Sequence, residues 1–295
     1  MPKISVVMPV LNGEKYLREA VESILNQSFK DFEFIIINDG STDKTEGIIK
    51  SYDDPRIVYI KNKENLGLSK SYNIGIRSSK GKFIARMDAD DVSLPERFEK
   101  QFDFLISGKA DIVGSSVVLI DERGGRIKRQ KRPVGHIEIK WHSLLSTPLI
   151  HPTVMGKAAV FKENLFDESY QNSEDYELWS RLLFTTPVRF ANIPKPLLLY
   201  RVYPQSFTRS LKPEKKLHSA ENSIKNIGRY VSLSEKEKSL IVKLRLGENL
   251  PLSELHEILK LYKRARREFR NKENFNPPLS PLVFSLIKYK LKQLI

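Results

Sequence analysis

FIARMDADD, residues 83–91, joins a short apolar run to three aspartates within four positions, Asp88, Asp90 and Asp91. Such a run reads as a buried strand whose carboxyl end meets solvent. Two carboxylates a few ångströms apart repel unless a cation or a proton intervenes, so the strand's end calls for a ligand. A hard divalent ion such as Mg2+ or Mn2+ takes carboxylate oxygens and keeps coordination positions open for phosphates. The chemistry suggested is a metal with a diphosphate.

Working outward, the same rhythm recurs. Apolar, β-rich runs begin near Ile4 (ISVVMPV), Phe32 (FEFIIIND), Arg56 (RIVYIKN), Lys82 (KFIARMD) and Ala110 (ADIVGSSVVLID), with helix-like segments between them. In EKYLREAVESILNQS, Leu17, Val21, Ile24 and Leu25 fall on one helical face. LPERFEKQFDFLISGK places Pro95 near a first turn and keeps Phe98, Phe102 and Leu105 on one stripe. Unbroken apolar runs alternating with helices imply parallel strands covered on both faces. The expected fold class is therefore α/β, a doubly wound, mostly parallel sheet that binds ligands at the carboxyl ends of its strands.

Polar residues gather at those ends. Strand one stops at PVLNGE (residues 9–14), strand two at NDGSTD (38–43), strand three leads into NLGLS (65–69), and strand four delivers the aspartates. NDGSTD alone reads equally well as a turn and helix cap, since Ser41 or Thr42 can cap and Asp43 suits a first turn.

In order and spacing, VVMPVLNGEKYL, FIIINDGSTDKT, NLGLSKSYNIGI, GKFIARMDADD and SEDYELWSRLL resemble the family 2 inverting glycosyltransferases of the GT-A fold, over roughly residues 3–205. The resemblance implies that Pro9, Leu11 and Glu14 line a nucleotide pocket, that Asp39 hydrogen-bonds the base, and that Asp88, beside Ala89, faces the ribose. Asp90 would bind the metal bridging the donor's two phosphates; departure of a nucleoside diphosphate concentrates charge that a metal stabilises. Asp91 fits helix capping or a supporting contact at least as well as direct ligation. A UDP-sugar is the expected donor because an aspartate at position 39 suits the uracil N3–H, although thymine and guanine offer a similar N–H.

An inverting transfer needs a base for the acceptor hydroxyl. Glu174 and Asp175 precede Leu178, Leu182 and Leu183 at helical spacing, and read alone they form an acidic helix start. By the resemblance Asp175 is the base and Glu174 an acceptor contact. His151, in LIHPTVMGK, resembles a histidine near the acceptor cleft and reads equally as a buried core histidine. Trp179 offers a ring for an acceptor sugar, yet its spacing with Leu182 and Leu183 favours the core. Arg201 resembles a basic residue placed on the diphosphate from a flexible loop, with a surface arginine as the alternative. Two departures matter: Tyr72 stands before Asn73 where many members carry arginine, leaving Lys70 to supply the charge, and the QxxRW motif of processive synthases is absent. Single addition is the expectation.

Composition narrows the classes. With no cysteine in 295 residues, thiolate metal sites and cysteine nucleophiles are excluded, and the chain suits a reducing, cytoplasmic setting. MPKISVVMPV reads as a first strand rather than a signal peptide. Phe275–Ile287, the longest uncharged C-terminal stretch, holds three prolines and falls short of the ~20 residues that span a bilayer. Of the net charge of +14, residues 206–295 hold +11, from 20 basic and 9 acidic residues. That basic, helix-rich extension follows a catalytic domain over residues 1–205. In LSELHEILKLYKRARREFRNK, Leu255, Ile258, Leu259, Tyr262, Ala265 and Phe269 form a stripe flanked by cations, a pattern that suits either an anionic membrane surface or packing on the first domain. PLSPLVFSLIKYKLKQLI, with Lys288, Lys290 and Lys292, points the same way, so peripheral attachment near a lipid-linked or other glycan acceptor is expected. A sugar nucleotidyltransferase should show a glycine-rich basic loop after strand one, which PVLNGEKY lacks. A nucleic-acid partner is not expected, because the aspartates would go unexplained and no interleaved aromatics accompany the cations.

Overall fold

A computed structural model of the chain describes residues 1–170, 173–203 and 217–278. The first half alternates as its apolar runs dictate: β1 (Ile4–Val10), α1 (Leu17–Leu25), β2 (Phe32–Asn38), α2 (Thr45–Lys50), β3 (Ile57–Lys61), α3 (Leu68–Ser78) and β4 (Phe83–Arg86). There follow β5 (Val92–Ser93), α4 (Arg97–Ile106), β6 (Ile112–Ile120), β7 (Arg126–Gln130), α5 (His136–His142), a 3-10 turn (His151–Thr153), β8 (Met155–Lys157), α6 (Ala158–Glu163), α7 (Glu174–Thr185) and β9 (Phe190–Arg201). Three further helices, α8 (Leu217–Gly228), α9 (Glu235–Leu246) and α10 (Leu252–Glu273), complete the described chain.

One sheet runs β3-β2-β1-β4-β8-β6-β9-β5, with β7 paired to β6. β3, β2, β1 and β4 are parallel, so their carboxyl ends share one edge. From β8 onward the directions are mixed: β8 is antiparallel to β4 and β6, and β9 is parallel to β6. The expected α/β class and helical C-terminal part are both found, with antiparallel strands added on one side.

Strand alternation splits the core across the sheet. Val6, Met8, Phe34 and Ile36 pack with α1 and α4 on one face. Val7, Ile35 and Ile37 pack with α3, α6 and α7 on the other. Each fully buried side chain of this size contributes roughly 1.5–3 kcal/mol, so the strand ends that carry polar groups sit on a rigid frame. α3 lies especially close to it. A Cβ on Gly75 would run into Val7 Cγ1 and meet Ile37 Cδ1 at 2.9 Å, so any larger residue would lift the helix that carries Tyr72.

A third core joins Trp141, Leu144 and Leu145, in and after α5, to α8, α9 and α10. Trp141 meets Phe269 edge-on at 5.0 Å and Tyr262 at 5.3 Å. This corrects one expectation for α10. Leu255, Ile258, Tyr262, Ala265 and Phe269 are buried against the chain's own residues and Leu259 is partly so, which leaves that helix no free apolar face for a membrane. Residues 279–295, the other stretch read as membrane-seeking, lie outside the described residues. No described helix is long and apolar enough to cross a membrane.

Candidate active site

The loops after β1 and β2 are stitched together at the shared edge. Asn12 N–H donates to Ser41 Oγ at 3.0 Å, Thr42 N–H to Asn12 Oδ1 at 2.9 Å, Gly13 N–H to Thr45 Oγ1 at 2.8 Å, and Glu14 N–H to Asp43 Oδ2 at 3.0 Å. Pro9 is buried just before this junction, whereas Leu11 and Glu14 are exposed on it. Glu14 also accepts from Lys44 N–H at 3.2 Å. Asp39 is nearly buried and accepts from Asn62 Nδ2 at 2.8 Å, Leu66 N–H at 2.9 Å and Gly67 N–H at 3.0 Å. Its Oδ1 takes two of these donors and its Oδ2 one, which leaves acceptor capacity on Oδ2. Lys70 lies exposed on the first turn of α3.

At the end of β4 the three aspartates differ. Asp88 accepts from the Tyr72 hydroxyl at 2.8 Å and lies 3.8 Å from the Arg86 guanidinium. Ala89 is half-buried between its acidic neighbours. Asp90 accepts from the Tyr203 hydroxyl at 3.1 Å. Burial, and then the charge of Asp88, raise its pKa to about 6. Asp91 turns inward, 1% exposed, with Oδ1 accepting from Arg201 N–H at 2.8 Å. Burial and the charges of Asp90 and Asp88 push its pKa well up, as suits a support rather than a ligand.

Arg201 is neither a loop residue nor a surface one. It ends β9 buried, donating from Nε to the Asp90 carbonyl at 2.8 Å and from one terminal nitrogen to the carbonyls of Asp121 and Glu122 at 3.2 and 3.3 Å. Its other terminal nitrogen binds the Glu19 carboxylate. These partners occupy the guanidinium, so the expected contact with a diphosphate gives way to framing of the aspartate turn.

The second acidic pair opens α7. Glu174 is buried and accepts from Ser173 N–H at 3.0 Å; burial and the neighbouring Asp175 charge raise its pKa to about 7. Asp175 accepts from Tyr176 N–H at 2.7 Å and the Thr147 hydroxyl at 3.2 Å, with its Oδ2 3.5 Å from His151 Nδ1. Burial raises its pKa too, against the opposing pull of Tyr176 N–H and the Arg86 cation. His151 lies among the rings of Tyr72, Phe166 and Trp179, 5.6–5.8 Å between centroids. Trp179 is fully buried and meets Phe161 and Phe190 edge-on. It can stack on no sugar, so its acceptor role is withdrawn in favour of the core.

The two acidic sites are thereby joined. Tyr72 donates to Asp88, its ring lies tilted against that of His151, and His151 reaches Asp175. Tyr72 also carries the Arg86 guanidinium over its ring at 3.6 Å. Among the described residues no group of three or more His, Asp or Glu side chains is disposed to hold a metal ion. Asp90 nevertheless fits one: a desolvated carboxylate, proton-hungry because Asp88 lies near, is relieved by a cation, and Mg2+ is commonly held by one or two carboxylates with substrate phosphates completing its shell.

Comparison with known proteins follows the same line. The family model described as glycosyl transferase family 2 matches residues 5–169. The chain belongs to that family. An uncharacterised glycosyltransferase of Methanocaldococcus jannaschii is 41% identical over 207 residues, covering 68% of this chain and 71% of that one. An O-antigen biosynthesis glycosyltransferase of Escherichia coli is 38% identical over 211 residues, covering 70% and 82%. Solved glycosyltransferase structures share the fold. S. aureus TarS 1-349 with UDP-GlcNAc superposes with a TM-score of 0.65 at 21% identity, over 90% of this chain and 80% of that one. The mannosyltransferase PcManGT of Pyrobaculum calidifontis, with GDP-Man and Mn2+, gives 0.60 at 14% identity, over 100% and 81%.

Three residues of this family 2 glycosyltransferase escaped the sequence reading. Arg86 is 1% exposed and its three guanidinium nitrogens have no hydrogen-bond partner among the described residues. A cation inside an apolar strand run was the available signal, since buried arginines are rare unless paired. Thr147 and Arg132, whose charge acts on Asp175, sit in loops with no local pattern to mark them.

Proposed function

We propose that the enzyme is an inverting, metal-assisted glycosyltransferase that moves a sugar from a nucleoside-diphosphate donor, a UDP-sugar first among candidates, to a hydroxyl of a glycan, polysaccharide precursor or lipid-linked acceptor. The observation that carries this reading is the contact line from Asp88 through Tyr72 and His151 to Asp175. It puts a carboxylate suited to the donor and one suited to proton transfer at two ends of one line of contacting side chains. The E. coli relative's O-antigen role, the UDP-GlcNAc on TarS and the GDP-Man with Mn2+ on PcManGT support the donor class and the acceptor class.

In this reading residues 1–205 are the catalytic domain and 206–295 a basic extension, and the enzyme acts in the cytoplasm. Pro9, Leu11, Glu14, Asp39, Lys70 and Ala89 border the nucleotide, and Asp88 takes the ribose hydroxyls. Asp90 would hold Mg2+ or Mn2+, which would supply positive charge to offset that of the departing diphosphate. Asp175 accepts the acceptor hydroxyl's proton as that oxygen attacks the anomeric carbon on the face opposite the leaving group. His151 holds the Asp175 carboxylate in place, and Glu174, readily protonated, can donate a hydrogen bond to the acceptor.

A thermal-shift screen tests the reading, with UDP, GDP, dTDP, CDP and their sugars, each with and without Mn2+. A ligand at a hundredfold excess over its dissociation constant stabilises the folded state by ~2.7 kcal/mol. One nucleotide should act only with metal, and Asp90→Ala should abolish its effect. Stabilisation of equal size in Asp90→Ala would remove that residue from the donor site.

A further inference from the structure

Away from both acidic sites, residues 123–132 read RGGRIKRQKR, with six basic residues and none acidic. The centre of this run is β7, an edge strand whose partner is β6. Arg126, Lys128 and Arg129 are exposed along it, and Ile127 stands 53% exposed among them. The nearest acidic residues in sequence are engaged elsewhere. Asp121 closes its own turn by accepting from Gly125 N–H at 2.8 Å and Arg123 N–H at 2.9 Å, and Glu122 pairs with Lys15 at 3.3 Å.

Beside this strand lies a groove of about 660 Å³ whose apolar wall is made by Leu94, Val118, Pro194, Pro196 and Leu199. Pro194 and Pro196 fall where the β6–β9 register shifts. A proline cannot donate to the ladder, and such residues mark bulges; here the irregularity opens the wall. Three cations with an exposed isoleucine over an apolar groove form an amphipathic surface rather than a merely solvated one.

We propose that the β7 edge and its groove dock the enzyme on an anionic lipid surface, with the three cations among the headgroup phosphates and Ile127 and the groove toward the acyl chains. The chemistry selects this occupant. A second copy related by a two-fold axis would set cations against cations, and the groove's lining has no aromatic ring on which a nucleic-acid base could stack. Lipid offers negative charge and apolar chains together. The place also fits the enzyme: Leu199 pairs with Val92, the residue after Asp91, and stands two positions before Arg201. Docking here brings the aspartate turn close to the membrane, where a lipid-borne acceptor would lie. The inference goes beyond the donor reading and does not depend on it.

Flotation of the full chain with vesicles of phosphatidylcholine, with and without phosphatidylglycerol, at low and high salt, tests it. Binding should require phosphatidylglycerol and fade with salt. Replacing Arg126, Lys128 and Arg129 together by Gln should weaken it about a hundredfold, since each basic residue near an anionic surface strengthens binding about fivefold. Ile127→Ser should weaken it several-fold without changing the salt dependence. Replacing Lys288, Lys290 and Lys292 by Gln should leave it intact. All four β7 positions are exposed, so the variants should keep the wild-type melting temperature and the nucleotide response, which separates this result from failure of the donor assignment. Wild-type binding by the triple β7 variant, or loss of binding in the Lys288, Lys290 and Lys292 variant, would overturn the proposal. Equal binding of single-stranded RNA through the same three cations would overturn it too, marking a general polyanion site.

Discussion

Asp88, Asp90 and Asp91 end a strand, whereas Glu174 and Asp175 begin a helix, and the two groups meet their own repulsion differently. At the strand end, Asp91 is folded inward and held by Arg201, and Asp90 is left with burial and a like charge that lift its pKa to about 6. The Arg201 cation pulls the Asp90 pKa down, but less than burial and Asp88 push it up, since its guanidinium is engaged by carbonyls and Glu19, and Arg86 lies by Asp88. At the helix start, the acidic pair feels Arg86 and Arg132 from within the protein, and Asp175 also accepts from Thr147 and Tyr176. One cluster thus keeps at Asp90 a buried carboxylate that a bound cation would relieve. In the other, Asp175 has cations and two hydrogen-bond donors close by, a setting in which it could take a proton from an acceptor hydroxyl.

The strongest way to break this contrast is Asp175→Asn. The amide keeps the shape and the bond from Tyr176 N–H, turns the Thr147 contact into one it must donate, and cannot take a proton; general base catalysis is typically worth ~10²–10⁴-fold. Steady-state transfer should fall by that factor while the metal-dependent thermal shift with nucleotide stays as in the wild type. Loss of both together would mean that the two clusters are one structural unit rather than two roles.

Glu174→Gln should show a stability effect whose sign depends on pH. The folded pKa of about 7 lies above the ordinary carboxylate value, so folding favours the protonated form. The contribution of this raised pKa to stability is fully present below the unfolded pKa of about 4.3 and is lost as pH rises through 7. The glutamine variant never carries the charge. It should match the wild type in acid and exceed it above pH 7 by up to ~3 kcal/mol, as urea melts at several pH values would show. An advantage that is the same at every pH would point to packing instead of charge.

How much of this was legible follows from how local each feature is. The strand ends from Asn38 to Asp91 announce themselves because parallel strands have unbroken apolar runs that stop abruptly. The acidic helix start at Glu174 is equally local. Arg201 was misplaced because its role depends on β9 running alongside β6 and β5, pairings that join residues about 80 to 110 positions apart. Trp179 was ambiguous on its helix until Phe161 and Phe190 closed over it from other elements. The stripe on α10 was read correctly as a stripe, but periodicity cannot say whether water, lipid or Trp141 lies opposite. Tyr72, met in sequence only as a departure from a pattern, proved to be the residue that touches Asp88 and faces His151.

Arg86 offers the finest test of the contrast, because its charge reaches both clusters. It lies 3.8 Å from Asp88 and its charge opposes the upward shift of Asp175. Arg86→Met removes the charge and keeps much of the apolar contact with Tyr72 and Phe166. Without the cation the Asp175 carboxylate holds its proton to higher pH, so if Asp175 acts as the base the acid limb of the transfer rate should move upward by about one pH unit. Arg86→Lys restores a charge but not a flat guanidinium that stacks on an aromatic ring, so it should return the limb toward its wild-type position while leaving Tyr72 less well held. A uniform fall in rate at every pH in both variants would assign Arg86 to packing alone. A limb that follows the charge and not the shape would make it the residue that sets when Asp175 is ready to act.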